Sequence, residues 1–205
     1  MSPASETAYV AFDGDRRIAS GGLREVISAA METLDRRKDA SVLVFDGMTS
    51  GPIEIDFRGS IDDVLARLPA TAAGEEAALP TPRGPGRPKL GVVAREVTLL
   101  PRHWEWLAQQ SGGASVALRR LVDDARRANK GKDRIRHAQE AAYRFMAAMA
   151  ENKPHYDEVA RALFAGDAER FEAWTETWPA DVRDHARRLA AVAFEPAASQ
   201  ESAAG

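Results

Sequence analysis

The stretch from Pro69 to Lys89 constrains what this chain can fold into more than any other feature. It reads PATAAGEEAALPTPRGPGRPK, with Ala, Pro, Gly and Thr where a repeating apolar face would be, so it cannot bury enough surface to order itself. Whatever folds must do so on either side of it. The expectation is an α+β chain in several parts: a small ββαββα domain over 1–68, a flexible basic Pro/Gly-rich linker over 69–89, a strand-helix-helix unit over 90–131, a helical bundle over 132–195 and a disordered tail over 196–205.

With 44 % apolar residues in a chain of 205, there is material for one good core or two small ones. The absence of Cys removes disulfide frameworks, thiolate zinc sites and thiol nucleophiles together, and it fits a reducing cytoplasm. No N-terminal run has the order of a signal peptide, and no apolar stretch approaches the ~20 residues that span a bilayer. A cytoplasmic chain without a membrane partner is expected.

Before the linker, Tyr9 to Phe12 read as a strand that enters a turn at Asp13-Gly14-Asp15 and returns over Arg17 to Ser20. Val26, Ile27, Ala30, Met31 and Leu34 recur at helical spacing within Leu23 to Arg37. Ser41 to Phe45 and Ile53 to Phe57 read as two further strands, joined by a loop whose Gly47 and Gly51 offer positive φ. Ser60 caps a last helix through Leu68, with Asp62 and Asp63 in its first turn.

No reaction is legible in that order of elements. Asp13, Asp15, Asp46, Glu54 and Asp56 are carboxylates of turns and of a solvent-facing strand edge rather than a catalytic cluster. His103, His137, His155 and His185 stand singly, with no partner at ligand spacing, and no Gly-rich loop follows a strand as a phosphate cradle does. The expectation is no enzyme, no metal and no cofactor.

Charge is another matter. Residues 83–136 carry 13 Lys or Arg against 5 Asp or Glu, a net of +8, inside a chain whose formal net is −3. A basic centre between acidic flanks points to a segment that meets a polyanion. Within it, Val93 to Leu100 alternates like a strand with one buried face, Pro101 opens a helix through Trp104, Leu107 and Ala108, and Ser111-Gly112-Gly113 breaks it. Ser115 is placed to cap a second helix in which Leu118, Leu121, Val122 and Ala125 form an apolar stripe, with Arg119, Arg120, Arg126 and Arg127 on other faces.

The run REVTLLPRHWEWLAQQSGGASVALRRLVDDA resembles the ribbon-helix-helix repressors over roughly thirty residues. That resemblance implies a homodimer whose paired strands enter the major groove while the start of the second helix holds a phosphate. By position, Glu96 and Thr98 then face base edges, and the amides of Gly113, Ala114 and Ser115 face the backbone; counting back from Leu100-Pro101 instead turns Arg95, Val97 and Leu99 outward. Just upstream, Gly86-Arg87-Pro88-Lys89 with Arg83 resembles part of an AT-hook, whose arginine lies in a narrow minor groove. The segments GRPKLGVVAREVTLLPRHWEWL and GGASVALRRLVDDARR resemble those of an uncharacterised bacterial family of unknown function, over nearly all of 8–190; that kinship implies no activity.

After residue 132 the chain reads as helical throughout. Ile135, Ala138, Ala142, Phe145, Met146 and Met149 make one stripe, Asn152-Lys153-Pro154 breaks it, and Tyr156, Val159, Leu163 and Phe164 make the next. Gly166, Asp167 and Pro179 punctuate the remainder. The reading is a DNA-binding regulator that contacts double-stranded DNA through Arg83, Arg87, Lys89, Arg95, Glu96, Thr98, Gly113, Ser115, Arg119 and Arg120. The competing class is a non-enzymatic protein-interaction or oligomerisation protein with no nucleic-acid role.

Overall fold

Strand β1 (Tyr9–Asp13) is buried at every position, which a strand achieves only when both of its faces are covered. The computed structural model, which describes residues 9–68, 93 and 95–195, shows what covers them. β1 lies between β2 (Arg16–Gly21) and β3 (Val42–Asp46), antiparallel to both. The pleat sends Tyr9 and Ala11 to one side and Val10 and Phe12 to the other.

On the Tyr9 side lie α1 (Leu23–Arg36) and α2 (Ile61–Arg67), which bury Val26, Ile27 and Val64 beside Val44. Ser60 starts α2 with a capping box: its Oγ accepts from the Asp63 amide, and the Asp63 carboxylate accepts from the Ser60 amide at 2.9 Å. The bond that the Ser60 hydroxyl donates to the Asp63 carboxylate at 2.6 Å, together with that of the Ser60 amide, holds this carboxyl below its ordinary range.

On the Phe12 side lie the helices of the C-terminal part. They are the end of α4 (Gly113–Met149), α5 (Tyr156–Ala165), α6 (Ala168–Thr175), α7 (Ala180–Ala190) and a 3-10 turn over Ala191–Phe194. Val10, Phe12 and Phe45 enter one cluster with Phe145, Met146, Leu163, Phe171 and Val182. The Phe145 ring sits 5.3 Å from Phe12 and 5.5 Å from Phe45. Polar ties run the same way: Lys153 to Asp15 at 2.6 Å, the Arg17 amide to the Asp181 carboxylate at 2.9 Å, and Arg144 to the Thr49 carbonyl. Segments that read as a separate domain and a separate bundle therefore share a core.

The chain divides instead into one unit of Met1–Glu75 with Gly131–Gly205 and another of Glu76–Lys130. The chain passes between them inside α4, whose helical span includes Gly131. One glycine in a helix costs about 1 kcal/mol relative to Ala, too little to break an element of 37 residues. Downstream the punctuation works locally. The chain breaks after Met149, the indole of Trp178 donates to the Pro154 carbonyl at 2.8 Å, Gly166 closes α5 at φ 70°, and Asp167 caps α6.

Ile53 to Phe57 forms no strand, so the observed order at the N-terminal end is ββαβα. Pro52 occupies the position bridged to Phe45 and has no N–H to extend a ladder; only the Ile53 amide continues, to the Val44 carbonyl at 2.8 Å. The alternation is still used, because Ile53, Ile55 and Phe57 pack against the α1 side while Glu54 and Asp56 stay in solvent or at its edge.

The preceding loop also differs from expectation. Asp46 organises it by accepting from the amides of Met48 and Thr49, and the positive φ falls on Ser50, at 52°, rather than on Gly47 or Gly51. Ser50 is fully buried and its hydroxyl has no hydrogen-bond partner. A left-handed non-glycine conformation costs roughly 1–2 kcal/mol and an orphaned hydroxyl a similar amount. Ser50→Gly should therefore stabilise the fold by about 1 kcal/mol after the added entropy of glycine in the unfolded chain. A urea melt in which the variant is weaker than wild type contradicts this.

Candidate nucleic-acid interface

The basic segment folds around a very small core. Residues 95–100 form no strand in a single chain, where a ribbon has no partner to pair with. Arg95, Glu96, Val97 and Thr98 are all exposed and Leu99 is half-buried, so the alternation that set two possible registers is not expressed. Leu100 then caps α3 (Pro101–Ala108) with Pro101 at its first position, the place where a missing N–H is harmless. The reversal that follows needs glycine: Gly112 has φ 84°, and a Cβ there would meet the Val116 side chain at 3.1 Å.

Helix α4 begins at Gly113, two residues before the expected cap. Ser115 therefore lies inside the first turn and is not the N-cap. Its carbonyl accepts from Arg119 Nε at 3.1 Å, and its Oγ lies 3.4 Å from Arg119 Nη2. The Gly113 amide donates to the Gln110 carbonyl at 3.0 Å, which leaves the Ala114 and Ser115 amides at the helix start, where N–H groups lack intrahelical partners.

Along α4, Arg119, Asp123, Arg126 and Lys130 recur at i, i+4, i+7 and i+11, with Arg120 and Arg127 beside them, which puts five cations on one face over roughly 16 Å of helix. The opposite face carries Ala117, Leu118, Leu121 and Val122. Arg127 is paired with Asp124, whereas Arg120, Arg126 and Lys130 make no ion pair among the described residues. Arg126 and Lys130 belong to the same stripe as Arg119 and are absent from the ten residues singled out by sequence. The seven- and eleven-residue spacing from Arg119 was the available signal, and it counts only if the helix continues without a break. Arg83, Arg87 and Lys89 lie outside the described residues, as does the linker that holds them.

Four of the five carboxylates named from the sequence have another occupation, and Glu54 is exposed. Asp13 pairs with Arg37 and Asp15 with Lys153, both at 2.6 Å, and Asp46 holds its turn. Asp56 bonds Arg58 at 2.7 Å, which keeps its carboxyl far below the usual range. Among the described residues no group of three or more His, Asp or Glu is placed to hold a metal ion. The histidines stay apart: His103 lies on α3, His137 on α4, His155 against Trp174 with ring centroids 4.5 Å apart, and His185 is buried. No helix of the described residues is long and apolar enough to cross a membrane.

A family model described as an uncharacterized protein conserved in bacteria (DUF2239) matches residues 8–190. The chain belongs to that family. Neither a curated protein nor a solved structure matches it. The DUF2239 match runs through both units. It does not extend to the ribbon-helix-helix repressors, and the strand that would carry that likeness is not formed in the single chain.

Proposed function

We propose that this bacterial protein is a non-enzymatic, cytoplasmic regulator that binds double-stranded DNA as a homodimer through its basic central segment. The observation that carries the reading is the stripe Arg119, Arg126 and Lys130 with Arg120 and Arg127, set opposite an apolar face on one helix. Cations without carboxylate partners are free to exchange their counterions for phosphates, which is the main sequence-independent source of affinity for DNA. Glu96 and Thr98 are exposed, as readers of base edges have to be. Arg83, Arg87 and Lys89 are the candidates for an arm in the minor groove.

Fluorescence anisotropy with a duplex at about 50 and about 200 mM salt tests this directly, since each phosphate contact adds about 0.9 to the slope of log affinity against log salt. The triple change Arg120→Gln, Arg126→Gln, Lys130→Gln should flatten that slope by close to 2.7 and leave sequence preference unaltered. No binding at the lower salt removes the reading. The apolar side chains exposed on α3 and α4 favour a second reading, an assembly protein with no nucleic-acid role; its interactions would be nearly insensitive to the same change of salt.

A further inference from the structure

Among its described residues, the unit spanning Glu76–Lys130 buries just two apolar side chains, Leu107 and Ala117. Ordering one residue costs about 1–2 kcal/mol of backbone entropy, so two buried side chains cannot hold two helical segments and a reversal in place. Meanwhile Val97, Leu100, Trp104, Trp106, Leu121 and Val122 stand 43–55 % exposed. An apolar groove of ≈ 270 Å³ runs between α3 and the start of α4, lined by Leu99, His103, Trp106, Leu107, Leu118 and Leu121.

We infer that a second copy of this chain covers this groove and its apolar rim, around a two-fold axis that passes beside Arg95 to Leu100. The inference gives the dimer of the reading above its surface and rests on that reading for nothing else. Three observations favour a second copy over another occupant. The six exposed side chains offer roughly 600 Å², close to the ~800 Å² that each partner gives to a standard stable interface. Helical spacing sets the exposed Trp104 beside Leu107 of the groove lining, with Leu100 one turn before it, which lets a two-fold axis set the knob of each copy into the hole of the other. The N–H and C=O groups of residues 95 to 99 have no backbone partner among the described residues, and an identical segment running antiparallel satisfies the facing edge of each copy. Pairing the apolar faces also keeps the two basic stripes of α4 on the outside, away from each other.

Sedimentation equilibrium of the full chain without DNA reads the assembly alone, so its outcome is separate from that of the anisotropy titration. Wild type should be a dimer at tens of micromolar. Trp106→Glu and Leu121→Glu each place two charges in a two-fold interface and should weaken it at least about a hundredfold, with the buried environment of Trp178 in the other unit unchanged. Phe164→Glu, at a comparably exposed apolar site in that other unit, should leave the dimer intact. Because the chain has no Cys, Thr98→Cys provides a single thiol, and a short bismaleimide should convert it to a covalent dimer even if the charged variants misfold. A monomeric wild type, groove variants that dimerise as tightly as wild type, or absence of the covalent dimer overturns the inference.

Discussion

Moving from pH 7 to pH 5 should remove about 2 kcal/mol of stability through a single side chain, His185. The imidazole is 1 % exposed and packs edge-on to Phe12 and 4.5 Å from the Phe145 ring. Burial pushes its pKa down to about 3, and the positive charges of Arg188 and Arg17 push in the same direction. The unfolded chain, with a pKa near 6.5, takes up the proton at a pH where the fold refuses it. Stability is therefore complete above about pH 6.5 and falls by about 1.4 kcal/mol per pH unit down to about pH 3. Urea melts at the two pH values measure the loss, and His185→Phe, which keeps an aromatic ring in the cluster, should abolish most of it. An equal loss in wild type and variant would assign the acid sensitivity to other groups.

Phe145→Ala should cost roughly 3–5 kcal/mol, the usual range for deleting a buried ring, and it should destabilise the sheet as much as the helices. Phe145 comes from α4 yet touches Phe12 of β1 and Phe45 of β3, with ring centroids 5.3 and 5.5 Å away. Amide exchange at Val10 and Phe12 should accelerate together with exchange in α7, because one cluster supports both. A fragment ending at Leu68 should not fold, since it would leave Val10, Phe12 and Phe45 facing water. Separate transitions for sheet and helices, or a stable 1–68 fragment, would contradict the shared core.

These two expectations depend on contacts that local patterns do not encode. The ends of elements were legible because each is decided within a few residues: Ser60 and Asp63 cap each other, Gly166 takes the left-handed conformation that ends α5, and Pro101 opens α3. The apolar stripe Ala142, Phe145, Met146 was equally plain from spacing. What it packs against was not. A strand buried on both faces and a strand buried on one face differ only in what arrives from elsewhere in the chain, here more than 120 residues later.

The failures have the same origin. Alternation at Ile53, Ile55 and Phe57 correctly marked a one-sided apolar surface, but a strand also needs a ladder, and Pro52 interrupts it at the bridge to Phe45. Alternation at Val97 and Leu99 carries the same information and meets no partner within one chain. Ser115 is a good cap by residue type, yet the glycine pair reversed the chain earlier, and the helix began at Gly113. In the candidate interface, sequence alone determined the positive charge and the amphipathic period. Tertiary structure decided that α4 continues past Gly131 and that the N-terminal sheet and the C-terminal helices form one core. Local chemistry sets where an element starts and stops within a turn or two of chain, whereas partners are chosen by burial, which is summed over the whole fold.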